Sequence, residues 1–562
     1  MLDSLQTILD TIDGVVWGPF VLMPLLLGTG ILLTARLAGL QVTKLIPALR
    51  LALFERKDKD APGGDVSQFQ ALTTALAATV GTGNIVGVAT AISIGGPGAL
   101  FWMWVTGVLG MASKYSEAFL GVRFRARDAK GEISGGPQYY LFRGIPNGFG
   151  KFLSLFFAIA AVLASFGIGN MTQGNSISAN VESSFGVPVW ITGLVLAVMT
   201  LLVLVGGIKS IGKVTSALVP VMILFYVLGA LFILVVNIEA VPAAFATIFT
   251  SAFTGHAAVG GFTGSAIMVV VQMGVARGIF SNESGMGSAA IAAAAAQTTH
   301  PVRQGLVSMT QTFIDTIVVV TCTGLVIVTT GVWEQGEDFA ATMTGDAFSH
   351  GLPGAWGHLI VTLGLVLFAY STILGWAYYG ERCMERLFGR GSVMPYRVFF
   401  SAVVFVGCSV PLAIVWSFAD LMNGLMAIPN LIGLVILSGL VARETKHYLR
   451  NDPQLRASKL QIDGFMDGHP GAIDSYVLPG TASSARVRLR QHLGVAPPEA
   501  SPERGAPHGD PARHQGPVPP ESPGGTGPLP FPRRASTPCG RHRGAVCPRP
   551  RRPGMPVYPR EP

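Results

Sequence analysis

The chain has 562 residues, of which 50% are hydrophobic and 12% charged, and its mean hydropathy is +0.51. Soluble domains carry roughly 25% charged residues, which excludes a soluble enzyme or a disordered chain. The five cysteines (Cys322, Cys383, Cys408, Cys539, Cys547) are scattered and form no disulfide framework. The net charge of +8 is no nucleic-acid footprint, because most of it sits at the C-terminal end.

A bilayer crossing needs about 20 mostly apolar residues. In chain order that length is met near 15–35, 68–93, 97–121, 152–180, 188–206 and 214–236, then near 263–290, 304–330, 356–379, 398–417 and 422–441. The expected fold class is an all-α polytopic membrane protein with eleven transmembrane helices, and the odd number puts the termini on opposite sides of the bilayer. The first stretch is no cleaved signal peptide, since Asp3, Asp10 and Asp13 precede it without any Lys or Arg. Alternate loops hold nineteen Lys and Arg, from Arg36 to Arg397, and the opposite loops hold none. Positive loops stay cytoplasmic, so the N-terminus is expected outside and the C-terminus in the cytoplasm of an inner-membrane protein.

Residues 1–67 form a first helix and a connector. Ten spans remain, five in 68–262 and five in 263–441, and an odd number per half makes the second set an inverted repeat of the first. Residues 442–496 read as a cytoplasmic segment. The stretch 497–562 holds 19 of the 37 prolines and ten Arg against five acidic residues, and should be disordered.

In such carriers a glycine-interrupted helix at the same place in both halves points to the binding site. The first half opens with Ala78-Thr79-Val80-Gly81-Thr82-Gly83-Asn84, the second with Gly274-Val275-Ala276-Arg277-Gly278-Ile279-Phe280-Ser281-Asn282-Glu283-Ser284-Gly285-Met286-Gly287. Glycine costs roughly 1 kcal/mol in a helix interior, and backbone groups freed at mid-membrane cost several kcal/mol each unless something binds them. Amides at Gly83 and Asn84 suit a carboxylate; freed carbonyls suit an ammonium or a hard cation. The string Thr79-Val80-Gly81-Thr82-Gly83 is close to a potassium-filter motif, but it lies inside a span rather than in a re-entrant loop.

Further polar groups lie within spans. Gln173 belongs to the cluster 169–176 and offers both a donor and an acceptor to a zwitterion. Ser371 and Thr372 are adjacent hydroxyls that complete a sodium shell with the carbonyls of Ala77 and Val80. Trp376 shares a face with Thr372 and would close a pocket or pack. Arg277, Asn282, Glu283 and Asp315 are coupling groups or a structural set, with Arg277 paired to Glu283 or Asp315. Lys114 and Glu117, three apart, should pair and snorkel.

The strings QFQALTTALAATVGTGNIVGVATAISIGGPGALFWMW, GGPQYY, ARGIFSNESGMGSA, TFIDTIVV and FAYSTILGWAYYGER stand in this order between Gln68 and Arg382. In them the chain resembles the alanine/glycine:cation symporter family, up to about residue 445. Gln138 and Ser284 depart from the Met and Ala expected of many relatives. The resemblance implies the leucine-transporter-type fold, a 5+5 inverted repeat preceded by one extra helix. It also implies that Thr82, Gly83, Asn84 and Gln173 bind the backbone of the amino acid, that Met273, Gly274, Phe280 and Trp376 shape the pocket, and that Ser371 and Thr372 hold sodium. The function implied is sodium-coupled import of alanine or glycine, with no cofactor, no chemistry on the substrate, the lipid bilayer as surroundings and the oligomeric state open. A proton-coupled carrier using Glu283 or Asp315, or an ion channel, is the alternative.

Overall fold

The computed structural model describes residues 2–466, apart from 19, 57, 59–60, 62–63, 128–130, 255–262, 337–338, 341, 353, 355 and 410–411. The stretch 497–562, expected to be disordered, lies outside the described residues, as does most of 442–496 beyond 466.

The described chain is helical apart from one short antiparallel pair, Ala126–Arg127 with Ile133–Ser134. Helix overlaps all eleven expected segments. By length and apolarity alone five helices among the described residues can cross a bilayer: Gly148–Phe185, Gly207–Val236, Pro301–Thr330, Trp356–Phe388 and Trp416–Asn451. The bent pair Gln68–Thr79 and Gly83–Gly95 makes a sixth. Leu22–Arg36, Val189–Val205 and Ile267–Asn282 are apolar but shorter.

Three expectations about the loops change. Helix Leu2–Val16 precedes the first expected span, and Val241–Thr254 occupies part of the expected loop 237–262. The latter seats Phe249 and Phe253 edge-on against Phe101, with ring centroids 5.6 and 5.1 Å away. The expected loop 418–421 is helical: Val393–Gly407 ends early, and Leu412–Asn451 runs through Asp420. A carboxylate inside a helix needs no loop when it is paired, and Asp420 is paired with Arg277.

Local chemistry sets the helix starts that frame the centre. Ser67 and Gln70 form a reciprocal capping box at the head of Gln68–Thr79. The His300 side chain caps Pro301–Thr312, with Pro301 at its first turn. Helix Gln68–Thr79 ends at Val80, whose backbone is extended (φ −75°, ψ 91°), and the chain resumes at Gly83 bent by 54°. Three stretches are wound as π-helix: Gly83–Gly87, Gly167–Met171 and Phe313–Val320. Such single-turn bulges concentrate at functional sites, and these three carry or adjoin Asn84, Gln173 and Asp315.

Candidate functional site

The first break brings together the residues expected to hold cargo. Gly81 N donates to Asn84 Oδ1 at 3.0 Å, Thr82 N to Gln173 Oε1 at 3.4 Å, and Gln173 Nε2 to Thr82 Oγ1 at 3.2 Å and to Ile168 O at 2.9 Å. Thr82, Asn84 and Gln173 are all buried. The glycines are required by close approach: a Cβ at Gly81 would stand 2.5 Å from Thr372 Oγ1, and one at Gly83 3.1 Å from Ser281 Cα. The two broken spans therefore cross at Gly83 and Ser281.

The freed carbonyls of the first half-helix meet the paired hydroxyls. Ser371 Oγ donates to Ala77 O at 3.2 Å, and Thr372 Oγ1 to Ala77 O at 3.0 Å and Val80 O at 3.5 Å. Four neutral oxygens thus converge, the donor type that hard cations take.

The second break lies later than the glycines suggest. Helix Thr263–Asn282 runs unbroken through Gly274 and Gly278, and the chain turns only where Glu283, Gly285 and Gly287 adopt φ of 53°, 90° and 82°. Gly274 packs closely: a Cβ there would run into Ala99 and Trp102 of helix Gly98–Arg123, so its smallness serves helix packing. Met273 abuts Gly95 at the far end of the first broken span. Phe280 does sit at the crossing, 3.2 Å from where a Gly83 Cβ would stand, with its ring tilted against Trp416 at a centroid distance of 5.1 Å.

The charged expectations are redistributed. Arg277 pairs with neither Glu283 nor Asp315; its Nη1 meets Asp420 Oδ2 at 3.2 Å, with the guanidinium over Phe280 and Trp416. Glu283 accepts from Trp376 Nε1 at 2.7 Å and from Ser288 Oγ, so Trp376 is anchored by its polar edge while its ring covers Gly169. Asp315 accepts from Asn84 Nδ2 (2.7 Å), Ser281 Oγ (2.8 Å) and Thr316 Oγ1 (2.9 Å). Asn282 Nδ2 donates to Thr316 Oγ1 at 3.0 Å. Lys114 and Glu117 pair at 3.9 Å but do not snorkel, both being fully buried. They hold the two ends of the second break instead. Lys114 Nζ donates to the carbonyl of Glu283 (2.9 Å), and Glu117 Oε1 accepts from Gly287 N (3.0 Å) and Asn430 Nδ2 (2.7 Å).

Further contacts join segments of the two halves beyond the crossing. At the end with the basic loops, residues 65–66 pair with 295–297, Gln68 Nε2 meets Thr298 Oγ1 at 3.0 Å, and Asp58 meets Thr299 and Arg303. Nearby, Glu132 joins Arg382 at 2.9 Å and Arg390 at 2.6 Å. Burial opposes its ionisation, but hydrogen bonds from Arg390 and Arg382 outweigh it and hold the carboxyl down at about 2. At the opposite end Arg277 meets Asp420 and Phe280 meets Trp416.

Sequence reasoning passed over Ser281, Asp420 and Gln311. The Nε2 of Gln311 donates to Ala75 O (3.3 Å) and Thr79 Oγ1 (3.1 Å) at the end of the first half-helix. The available signal was polarity inside spans, which marks functional positions by default.

This helical arrangement has counterparts among known proteins. The profile described as sodium:alanine symporter family matches residues 2–461. The chain belongs to this family. It is 54% identical over 446 residues to the sodium/alanine symporter AgcS of Methanococcus maripaludis, covering 79% of this chain and 97% of that one. It is 36% identical to the amino-acid carrier protein AlsT of Bacillus subtilis, over 78% of this chain and 92% of the relative. Among solved structures, that of MhsT in complex with L-phenylalanine superposes with a TM-score of 0.52 at 12% identity, covering 73% of this chain and 97% of the other. The fold is thus of the leucine-transporter type, and the protein is a multi-pass membrane protein of a cation-coupled amino-acid symporter family.

Proposed function

We propose that the chain imports a small neutral amino acid, alanine or glycine, together with sodium across the cytoplasmic membrane by alternating access, with its N-terminus outside and its C-terminus in the cytoplasm. The observation that carries this reading is the convergence of Ala77 O, Val80 O, Ser371 Oγ and Thr372 Oγ1 beside the opened amides of Gly81–Asn84. In it the four oxygens take sodium, the amides of the first break take the cargo carboxylate, and Thr82, Gly83, Asn84 and Gln173 fix its backbone. Phe280 and Trp376 restrict its size. One charge moved through about 100 mV supplies about 2.3 kcal/mol, enough for roughly fifty-fold accumulation.

Sodium is favoured over a proton as the coupling ion because four neutral oxygens, those of Ala77, Val80, Ser371 and Thr372, converge in the way a hard cation requires. The test is uptake of labelled alanine into liposomes under an imposed sodium gradient. Uptake that persists without sodium and fails at alkaline pH would replace sodium by a proton, and ion conduction that does not saturate in alanine would replace the carrier by a channel.

A further inference from the structure

Helix Leu412–Asn451 carries Asn423, which is fully buried and whose Nδ2 and Oδ1 both lack a partner among the described residues. Leaving a buried polar group unpaired costs about 1–3 kcal/mol, and buried amides are kept where something binds them. The contacts of its neighbours fix where it faces. One turn earlier, Ala419 lies against Gly167 of the π-helical stretch that leads into Gln173, and two turns earlier Trp416 lies against Phe280. Two turns later, Asn430 bonds Gly285 O at the second break. Residues 419, 423 and 430 share a helix face, so Asn423 lies on the face of its helix that meets the π-helical stretch and the second break.

Several carbonyls of the two breaks already accept hydrogen bonds. Ala77 O and Val80 O take the hydroxyls of Ser371 and Thr372, Gly81 O takes Asn84 N, Glu283 O takes Lys114 and Gly285 O takes Asn430. A zwitterion placed with its carboxylate on the first-break amides still needs an acceptor for its ammonium. We infer that Asn423 is a cargo-binding residue whose Oδ1 accepts from the α-ammonium of the transported amino acid. The inference rests on the amino-acid carrier reading above and adds to it a wall from a helix that neither break contributes.

The experiment is sodium-driven uptake of labelled alanine into liposomes by wild type, Asn423→Leu and Asn423→Asp. Leucine removes the acceptor, whereas aspartate keeps the acceptor and removes the donor. The expected result is a KM for alanine raised at least tenfold in Asn423→Leu, with Vmax and the half-saturating sodium concentration within threefold of wild type, and a KM in Asn423→Asp at or below that of wild type. A fall in Vmax at unchanged KM would make Asn423 structural and overturn the inference, as would no change in either variant. A KM raised equally in both variants would show the N–H and not the oxygen at work and also overturn it. If Asn423→Leu does not fold, Asn423→Ala is read by the same KM-against-Vmax split. Absence of uptake by wild type itself would be a failure of the carrier reading, distinguishable from all of these.

Discussion

Asn84 and Asp315 join the first broken span to the second half of the chain: Asn84 Nδ2 donates to Asp315 Oδ1 at 2.7 Å, while Asn84 Oδ1 accepts from Gly81 N at 3.0 Å. The same amide therefore fixes the turn at the break and ties it to helix Pro301–Thr330. Removing one partner of a buried hydrogen bond to a charged group costs about 1.5–3 kcal/mol. Asn84→Ala and Asp315→Asn should each lower alanine uptake by about tenfold or more. Because the two act as a unit, the double variant should be little worse than either alone, which a double-mutant cycle on uptake rates measures.

The paired hydroxyls differ in reach. Ser371 touches one freed carbonyl and Thr372 touches two. Thr372→Val keeps the shape and removes the oxygen, so it should raise the half-saturating sodium concentration about tenfold or more, with Ser371→Ala shifting it less. The alanine KM at saturating sodium should move little in either. Uptake titrated with sodium decides, and equal effects would contradict the geometry.

The first break was legible because Gly81-Thr82-Gly83 is both flexible and crowded: the unwinding and the close approach fall on the same residues. The second was displaced by about two turns. Gly274 and Gly278 resemble a break but serve the close approach of helix Gly98–Arg123, and the turn depends on Glu283, a non-glycine held at φ 53° with its carbonyl bonded by Lys114. Whether a glycine bends a helix or admits a neighbour is decided by that neighbour, which local sequence does not contain. The same holds for charges. Arg277 and Asp420 are 143 residues apart, and Lys114 and Glu117 looked like a surface pair until the second break supplied them with buried partners. The all-helical membrane fold needed only the long apolar stretches, and its leucine-transporter type came from the resemblance, so neither depended on these contacts.

The Arg277–Asp420 pair predicts a coupled loss of stability. Breaking a buried ion pair by removing one partner costs about 3–5 kcal/mol. Here the side chains are 20% and 13% exposed, so Arg277→Gln or Asp420→Asn should cost nearer to 2 kcal/mol. The double variant, which leaves no unpaired charge, should recover at least half of that. Denaturation of the purified protein in detergent checks this, and simple additivity would mean that the pair contributes nothing as a pair.

Acidification should act through His300. Burial, then the charges of Arg123, Arg303 and Lys459, push its imidazole from 6.5 down to about 3. Its Nδ1 must stay unprotonated to accept from Val302 N at 3.3 Å, and its ring stacks on Tyr448 at 4.5 Å. The folded pKa is thus depressed below the unfolded one, so the contribution is complete above about 6.5 and is lost progressively as pH falls toward 3. Each pH unit in that window costs about 1.4 kcal/mol, so the fold should weaken by about 2 kcal/mol between pH 6.5 and 5. Glu132, held at about 2, loses its contribution only as pH falls below its ordinary value near 4.5, so it adds little between pH 6.5 and 5. Asp65, raised chiefly by burial, works in the opposite sense because protonation then favours the folded state. His300→Asn keeps a helix-capping side chain and removes the titrating ring. The variant should therefore be somewhat less stable at pH 7 through the lost stacking, yet its apparent melting temperature in detergent should be nearly flat from pH 6.5 to 5, where that of the wild type falls. Equal slopes would assign the acid sensitivity elsewhere.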